Sequence, residues 1–121
     1  MAQHNETGKK GEIAAANFLL KKGFEILATN YRFKKAEIDI IAKQNNVITF
    51  VEVKTRSTDF FGFPEEFVDK KKQQLIAKAA AQFIEENKIL GELRFDIISV
   101  IETKEQLEIR HIEDAFFPIG E

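Results

Sequence analysis

The spacing of apolar positions changes along the chain, and each change marks an element. Over residues 8–22 it is helical: Ile13, Ala16 and Leu20 fall on one stripe, widened by Ala15, Phe18 and Leu19. Lys21 and Lys22 suit the last turn, and Gly23 suits the residue just past it. Residues 24–33 then read as a strand, with Phe24, Ile26 and Ala28 on one face and Leu27 on the other. Residues 36–56 read as two β-branched strands joined at Asn45-Asn46. Residues 57–64 break the pattern and hold Phe60, Phe61 and Phe63, which suit core plugging, base stacking or partner docking. A second amphipathic helix is predicted over 69–87, capped by Asp69, with Leu75, Ile76, Ala79, Ala80, Phe83 and Ile84 on its apolar face. Gly91 ends it, strands follow over 93–101 and 107–112, and 114–121 form a tail carrying Phe116 and Phe117.

The predicted order is therefore α-β-β-β-α-β-β, an α/β protein. With 121 residues, 44% of them hydrophobic, one domain spanning 1–121 is expected. Residues 1–7 are polar and expected to be loose, with no signal-peptide pattern. No apolar run approaches the ~20 residues of a membrane span. The absence of cysteine excludes disulfides and thiolate metal sites, and a cytoplasmic location fits.

The central hairpin carries the chemistry. Strand alternation puts Glu37, Asp39 and Ile41 on one face of the first strand, opposite Ile38 and Ile40. In the second strand it groups Ile48, Phe50, Glu52 and Lys54. A two-residue turn at Asn45-Asn46 sets Asp39 directly across from Glu52 and Glu37 across from Lys54. Opposed carboxylates repel at the ~5 Å separation of such pairs. A divalent cation between them removes the conflict, because Mg²⁺ takes one or two carboxylates plus waters and substrate phosphate. Lys54 points to the same spot. An exposed surface pair is the plainer reading, but both faces of these strands are largely apolar, and charges are seldom buried unpaired.

Charge sharpens the picture slightly. The net charge of −2 argues against a strong general nucleic-acid binder. The first 80 residues nevertheless carry 14 Lys+Arg against 10 Asp+Glu, and the rest carry 4 against 10. Candidate phosphate contacts are Lys9, Lys10, Arg32, Lys35, Arg56, Lys70 and Lys72, with Gln73 the polar helix residue most expected to face the site. Plain solvation is the competing reading for these lysines. Glu12 sits at the apolar face of the first helix, either as a favourable first-turn acid or as a carboxylate aimed over the sheet. His111, alone, reads as structural.

Glu12, Asp39, Glu52 and Lys54 in this order resemble the PD-(D/E)xK nuclease superfamily, with Ile38 where that pattern has Pro. More closely, Gly-Glu-Ile (11–13), Asn-Tyr-Arg (30–32), Glu-Ile-Asp-Ile-Ile-Ala (37–42), Phe-Val-Glu-Val-Lys-Thr-Arg (50–56) and Arg-Phe-Asp (94–96) resemble the bacterial YraN family over nearly the whole chain from Lys9. The resemblance implies a restriction-endonuclease-like three-layer core, a mixed sheet flanked by helices, similar to Holliday-junction resolvases. It also implies that Asp39, Glu52 and the backbone carbonyl of Val53 hold Mg²⁺ or Mn²⁺. Lys54 would position the attacking water and Glu12 would hold a water or second ion. The function implied is phosphodiester hydrolysis in structured or branched DNA, with a homodimer as one assembly. The alternatives are a non-catalytic nucleic-acid-binding module and a protein-interaction domain on the same fold.

Overall fold

The computed structural model describes residues 2–57 and 68–118. Its elements are α1 (Ala2–Lys21), β1 (Glu25–Phe33), β2 (Ala36–Gln44), β3 (Val47–Ser57), α2 (Lys70–Asn87), β4 (Glu92–Glu102) and β5 (Leu107–Ile112). The order matches the apolar pattern, although α1 begins at Ala2 rather than Gly8. The Phe60–Phe63 segment lies outside the described residues.

The five strands form one mixed sheet in sequential order β1-β2-β3-β4-β5. Only β3 and β4 run parallel, and α2 lies in the crossover that a parallel pair requires. The other pairs are antiparallel. Two apolar clusters sandwich the sheet. On one side Ile76, Ala79, Ala80 and Phe83 of α2 pack on Ile38, Ile41, Ile48, Phe50, Phe95 and Ile97. On the other, Ala15 and Leu19 of α1 pack on Ile40, Ala42, Val51, Ile98 and Val100. The result is the three-layer, restriction-endonuclease-like layout. The tail docks through the Ala115 N–H, which donates to the Phe95 carbonyl at 2.8 Å, and through Phe116 against Phe95; Phe117 remains exposed.

From Gln44–Val47 to Ile40–Val51 the hairpin register is the expected one, but the ladder stops short of the expected Asp39–Glu52 and Glu37–Lys54 pairs. Asn45 and Asn46 both take positive φ (52° and 66°), as a type I′ turn demands, and Gln44 pairs with Val47. The alternation along β2 is not as expected. Ile38 and Ile41 lie under α2 together, while Ile40 lies under α1. The pleat therefore changes phase at Asp39. The cause sits opposite: Thr29 pairs with Ile40 and Tyr31 with Ile38, but Asn30 between them adopts φ 51° and leaves the extended conformation. A second irregularity, between Ile26 and Ala28, puts Leu27 and Ala28 on the α2 side and Ile26 on the α1 side.

The buried face of α1 also differs. Gly11, Ala15 and Leu19 are buried, whereas Ile13 and Leu20 are exposed. Small residues let the helix lie close on the sheet, and size rather than apolarity chose the face. A Cβ on Gly11 would fall 2.1 Å from Thr55 Oγ1, closer than atoms can approach.

Candidate functional site

Strands β2 and β3 pair from the turn as far as Ile40 and Val51. At the next step the ladder is interrupted by a side chain: Asp39 Oδ2 accepts the Val53 backbone N–H at 2.7 Å. β3 continues alongside β4 to Ser57. A notch thus opens between β2 and β3, with Asp39 on one wall and Glu52 on the other.

Glu12, Asp39, Glu52 and Val53 line one cleft there, of about 340 Å³, together with Gly8, Thr55 and Lys72. On the α2 side Asp39 and Glu52 also line a cleft of about 350 Å³ with Lys35, Glu37, Asp69, Lys71 and Lys72. A smaller groove joins Lys9 and Glu12 to Asn30 and Asp39. The acids singled out in the sequence therefore meet at one place, brought there by α1, β2 and β3. Among the described residues no group of three or more His, Asp or Glu side chains is arranged to hold an ion unaided.

The electrostatics are those of crowded negative charge. Burial and the Glu52 carboxylate push the Asp39 carboxyl up to about 8; the Val53 N–H pulls it down, Glu12 raises it further and Lys72 lowers it. Glu52 is only 5% exposed. Its Oε2 forms an ion pair with Lys72 of α2 and lies 4.0 Å from Lys54 Nζ. Burial and the neighbouring Lys72 hold the Lys54 ammonium below the usual lysine range, while Glu52 and Asp39 act against them.

Among the basic candidates, Lys9, Lys35 and Lys72 line the clefts around Asp39. Lys71, not singled out as a contact, lines the α2-side cleft. Lys10 pairs with Glu102 and Arg32 with Glu37, both at 3.5 Å. The Arg56 guanidinium donates to the Thr55 carbonyl at 2.9 Å. Lys70 is the exposed first residue of α2, and the Gln73 side chain donates to the Val68 carbonyl rather than to the site acids.

Sequence reasoning gave no role to Asn30. Its amide donates to Glu12 Oε1 at 3.0 Å and to Glu37 Oε2 at 3.1 Å, tying α1 to β2 across the site. It also missed a buried cluster beyond the notch. Asp96, fully buried, accepts two bonds from Arg94 (2.9 and 3.0 Å) and one from the Asp114 N–H (2.9 Å), and lies 2.7 Å from His111 Nε2. Burial alone would raise the Asp96 carboxyl, but the bonds to His111 and Arg94 hold it below the usual range. An aspartate inside the otherwise apolar run Phe95–Ile98 was the available signal. His111 is thereby structural, as expected.

The sheet between two helices, opened at a notch of acids, defines an α/β protein of restriction-endonuclease-like layout. The chain belongs to the uncharacterised protein family UPF0102, the YraN family, whose model matches residues 11–100. It is 52% identical to a UPF0102 protein from Christiangramia forsetii over 117 residues, covering 97% of this chain and 98% of that one. It is 50% identical to one from Flavobacterium psychrophilum, with the same coverage. A third, from Alkaliphilus oremlandii, is 45% identical over 93% of this chain and 99% of its own. Among the described residues no helix is long and apolar enough to cross a membrane.

Proposed function

We propose that the protein is a Mg²⁺- or Mn²⁺-dependent endonuclease that hydrolyses phosphodiester bonds in structured or branched DNA. The observation that carries this reading is the convergence of Asp39 and Glu52 on one cleft just beyond the point where β2 and β3 part, with Lys54 beside Glu52.

The donor set fits a hard divalent cation. The acids around the notch offer oxygen, and two carboxylates with the Val53 carbonyl leave room for waters and a phosphate oxygen. Two ammonium groups already gather on Glu52, and Asp39 is driven toward its neutral form, so the site has a need for positive charge. When bound, such an ion supplies Lewis-acid polarisation and a more acidic water. The chain's own groups do the rest. Asp39 and Glu52 orient, Lys54 stabilises charge developing on the phosphate, and Asn30 steadies Glu12. Lys9, Lys35 and Lys71 on the cleft rims would contact flanking phosphates.

A panel of duplex, single-stranded and four-way-junction DNA, each with Mg²⁺ or Mn²⁺, tests the proposal. Cleavage by the native chain is expected, lost in Lys54→Ala with DNA binding retained. Binding without cleavage on every substrate would favour the binding-module reading, which the lysine rim supports equally well. No binding at low salt would overturn both.

A further inference from the structure

We propose that the Lys72 ammonium stands in for the divalent cation: it neutralises Glu52 in the cation-free protein and must leave when the cation binds. The inference rests on the reading of Asp39 and Glu52 as the cation's ligands.

Glu52 is buried, and a buried carboxylate stripped of its partner is strongly unfavourable. Something positive must stay beside it at all times. Two amines are available, and they differ in how they are held. Lys54 comes from the same strand, and its side chain is only 12% exposed. Lys72 comes from α2 across the cleft, and its side chain is 43% exposed. Its backbone is fixed, because its N–H donates to the Asp69 cap at 2.8 Å. The long stem is the movable part. Lys72 can therefore withdraw toward solvent without disturbing the helix, whereas Lys54 is hemmed in.

Charge balance points the same way. Glu12, Asp39 and Glu52 meet Lys54 and Lys72 in one small volume. A divalent cation added with both amines in place would give the site more positive than negative charge; with Lys72 withdrawn, Lys54 and the cation balance the three carboxylates. Lys72 also lines both clefts that flank Asp39 and Glu52, so its withdrawal leaves the amine beside Lys71 and Lys35 on the α2-side rim.

The test is Mn²⁺ affinity, measured by titration calorimetry on the full chain without DNA. Lys72→Met removes the competing charge and keeps the stem. It is expected to tighten Mn²⁺ binding by about tenfold, the scale of one unit charge acting across a partly screened few-ångström gap. Lys72→Arg keeps the charge and should bind as the native chain does. Lys71→Met, a neighbour without the Glu52 pair, should change affinity far less. General damage to the fold would weaken binding, so tightening is diagnostic. Native binding with unchanged or weaker affinity in Lys72→Met overturns the inference and leaves the proposed function standing. No Mn²⁺ binding by native chain or variant overturns both.

Discussion

The Asp39 carboxylate takes the Val53 backbone N–H at 2.7 Å, in the place where a strand partner's carbonyl would continue the ladder. One side chain thus ends the β2–β3 pairing and frames the notch. Its ionisation has a definite linkage. The carboxyl is raised in the folded state to about 8 by burial and Glu52, against an ordinary value near 3.8. Between those values the folded chain holds a proton that the unfolded chain has lost. Stability without divalent cation should therefore fall as pH rises from about 4 to about 8 and level off above, with a slope of at most about 1.4 kcal/mol per pH unit. Urea denaturation at several pH values in EDTA reads this directly. Asp39→Asn should flatten the slope, and Mn²⁺ should bind more tightly as pH rises, since binding expels the proton. A native slope identical to that of Asp39→Asn would mean the carboxyl is not raised.

Gly11 is where α1 touches β3, and the contact positions Glu12. A methyl group there meets Thr55 Oγ1 head-on. Gly11→Ala should cost about 1–3 kcal/mol through overpacking, despite the better helix propensity of alanine. Adding Thr55→Ala should recover most of that loss, because the clashing hydroxyl is gone. Denaturation midpoints of the two single variants and the double variant check it. Strict additivity would show that the two positions do not touch.

The contrast between these two sites explains what could be read in advance. The register from Gln44–Val47 to Ile40–Val51, which brings Asp39 and Glu52 to the edge of the same notch, followed from the Asn45-Asn46 turn, because a two-residue turn dictates the pairs outward from it for as long as the ladder holds. The phase change in β2 did not follow, because it depends on the backbone of Asn30 on another strand. The α1 face was misassigned for a related reason. Ile13 and Leu20 are the more apolar choices, but Gly11 and Ala15 are the ones small enough for close approach. Lys72 was legible as a cation near the site, but its pairing with Glu52 was not, since that depends on how α2 lies over the sheet. Asp96 stood out as an acid in an apolar run, but its partners were illegible because its bonds join β4 to residues 15 and 18 positions further along.

That cluster separates stability from function. Asp96 is buried with Arg94, His111 and the Asp114 N–H converging on it, so its removal takes the acceptor from the part-exposed Arg94 guanidinium and from the Asp114 N–H. Asp96→Ala should cost about 1–3 kcal/mol through the groups left without an acceptor. Because the folded carboxyl is held below its ordinary value, its contribution should be full above the unfolded pKa and lost as pH falls through the folded one. Mn²⁺ affinity of the surviving folded fraction should match the native chain, as the cluster lines none of the clefts at Asp39. A variant as stable as the native chain at neutral pH would contradict the reading of Asp96 as a buried structural hub.

Asn30 combines a backbone role and a side-chain role, and two substitutions separate them. Its φ of 51° is left-handed, a conformation that costs an ordinary L-residue about 1–2 kcal/mol and glycine almost nothing. Its amide bridges Glu12 and Glu37, which would otherwise repel across the groove. Asn30→Gly keeps the backbone comfortable and deletes the bridge. Asn30→Ala deletes the bridge and strains the backbone as well. Asn30→Ala should therefore be the less stable of the two by about 1 kcal/mol, after allowance for glycine's looser unfolded state. Both should slow DNA cleavage by a similar factor, because both release Glu12. Urea titrations and single-turnover cleavage, run side by side, supply the comparison. Native-rate cleavage by Asn30→Gly would show that the amide is not what holds Glu12 in place.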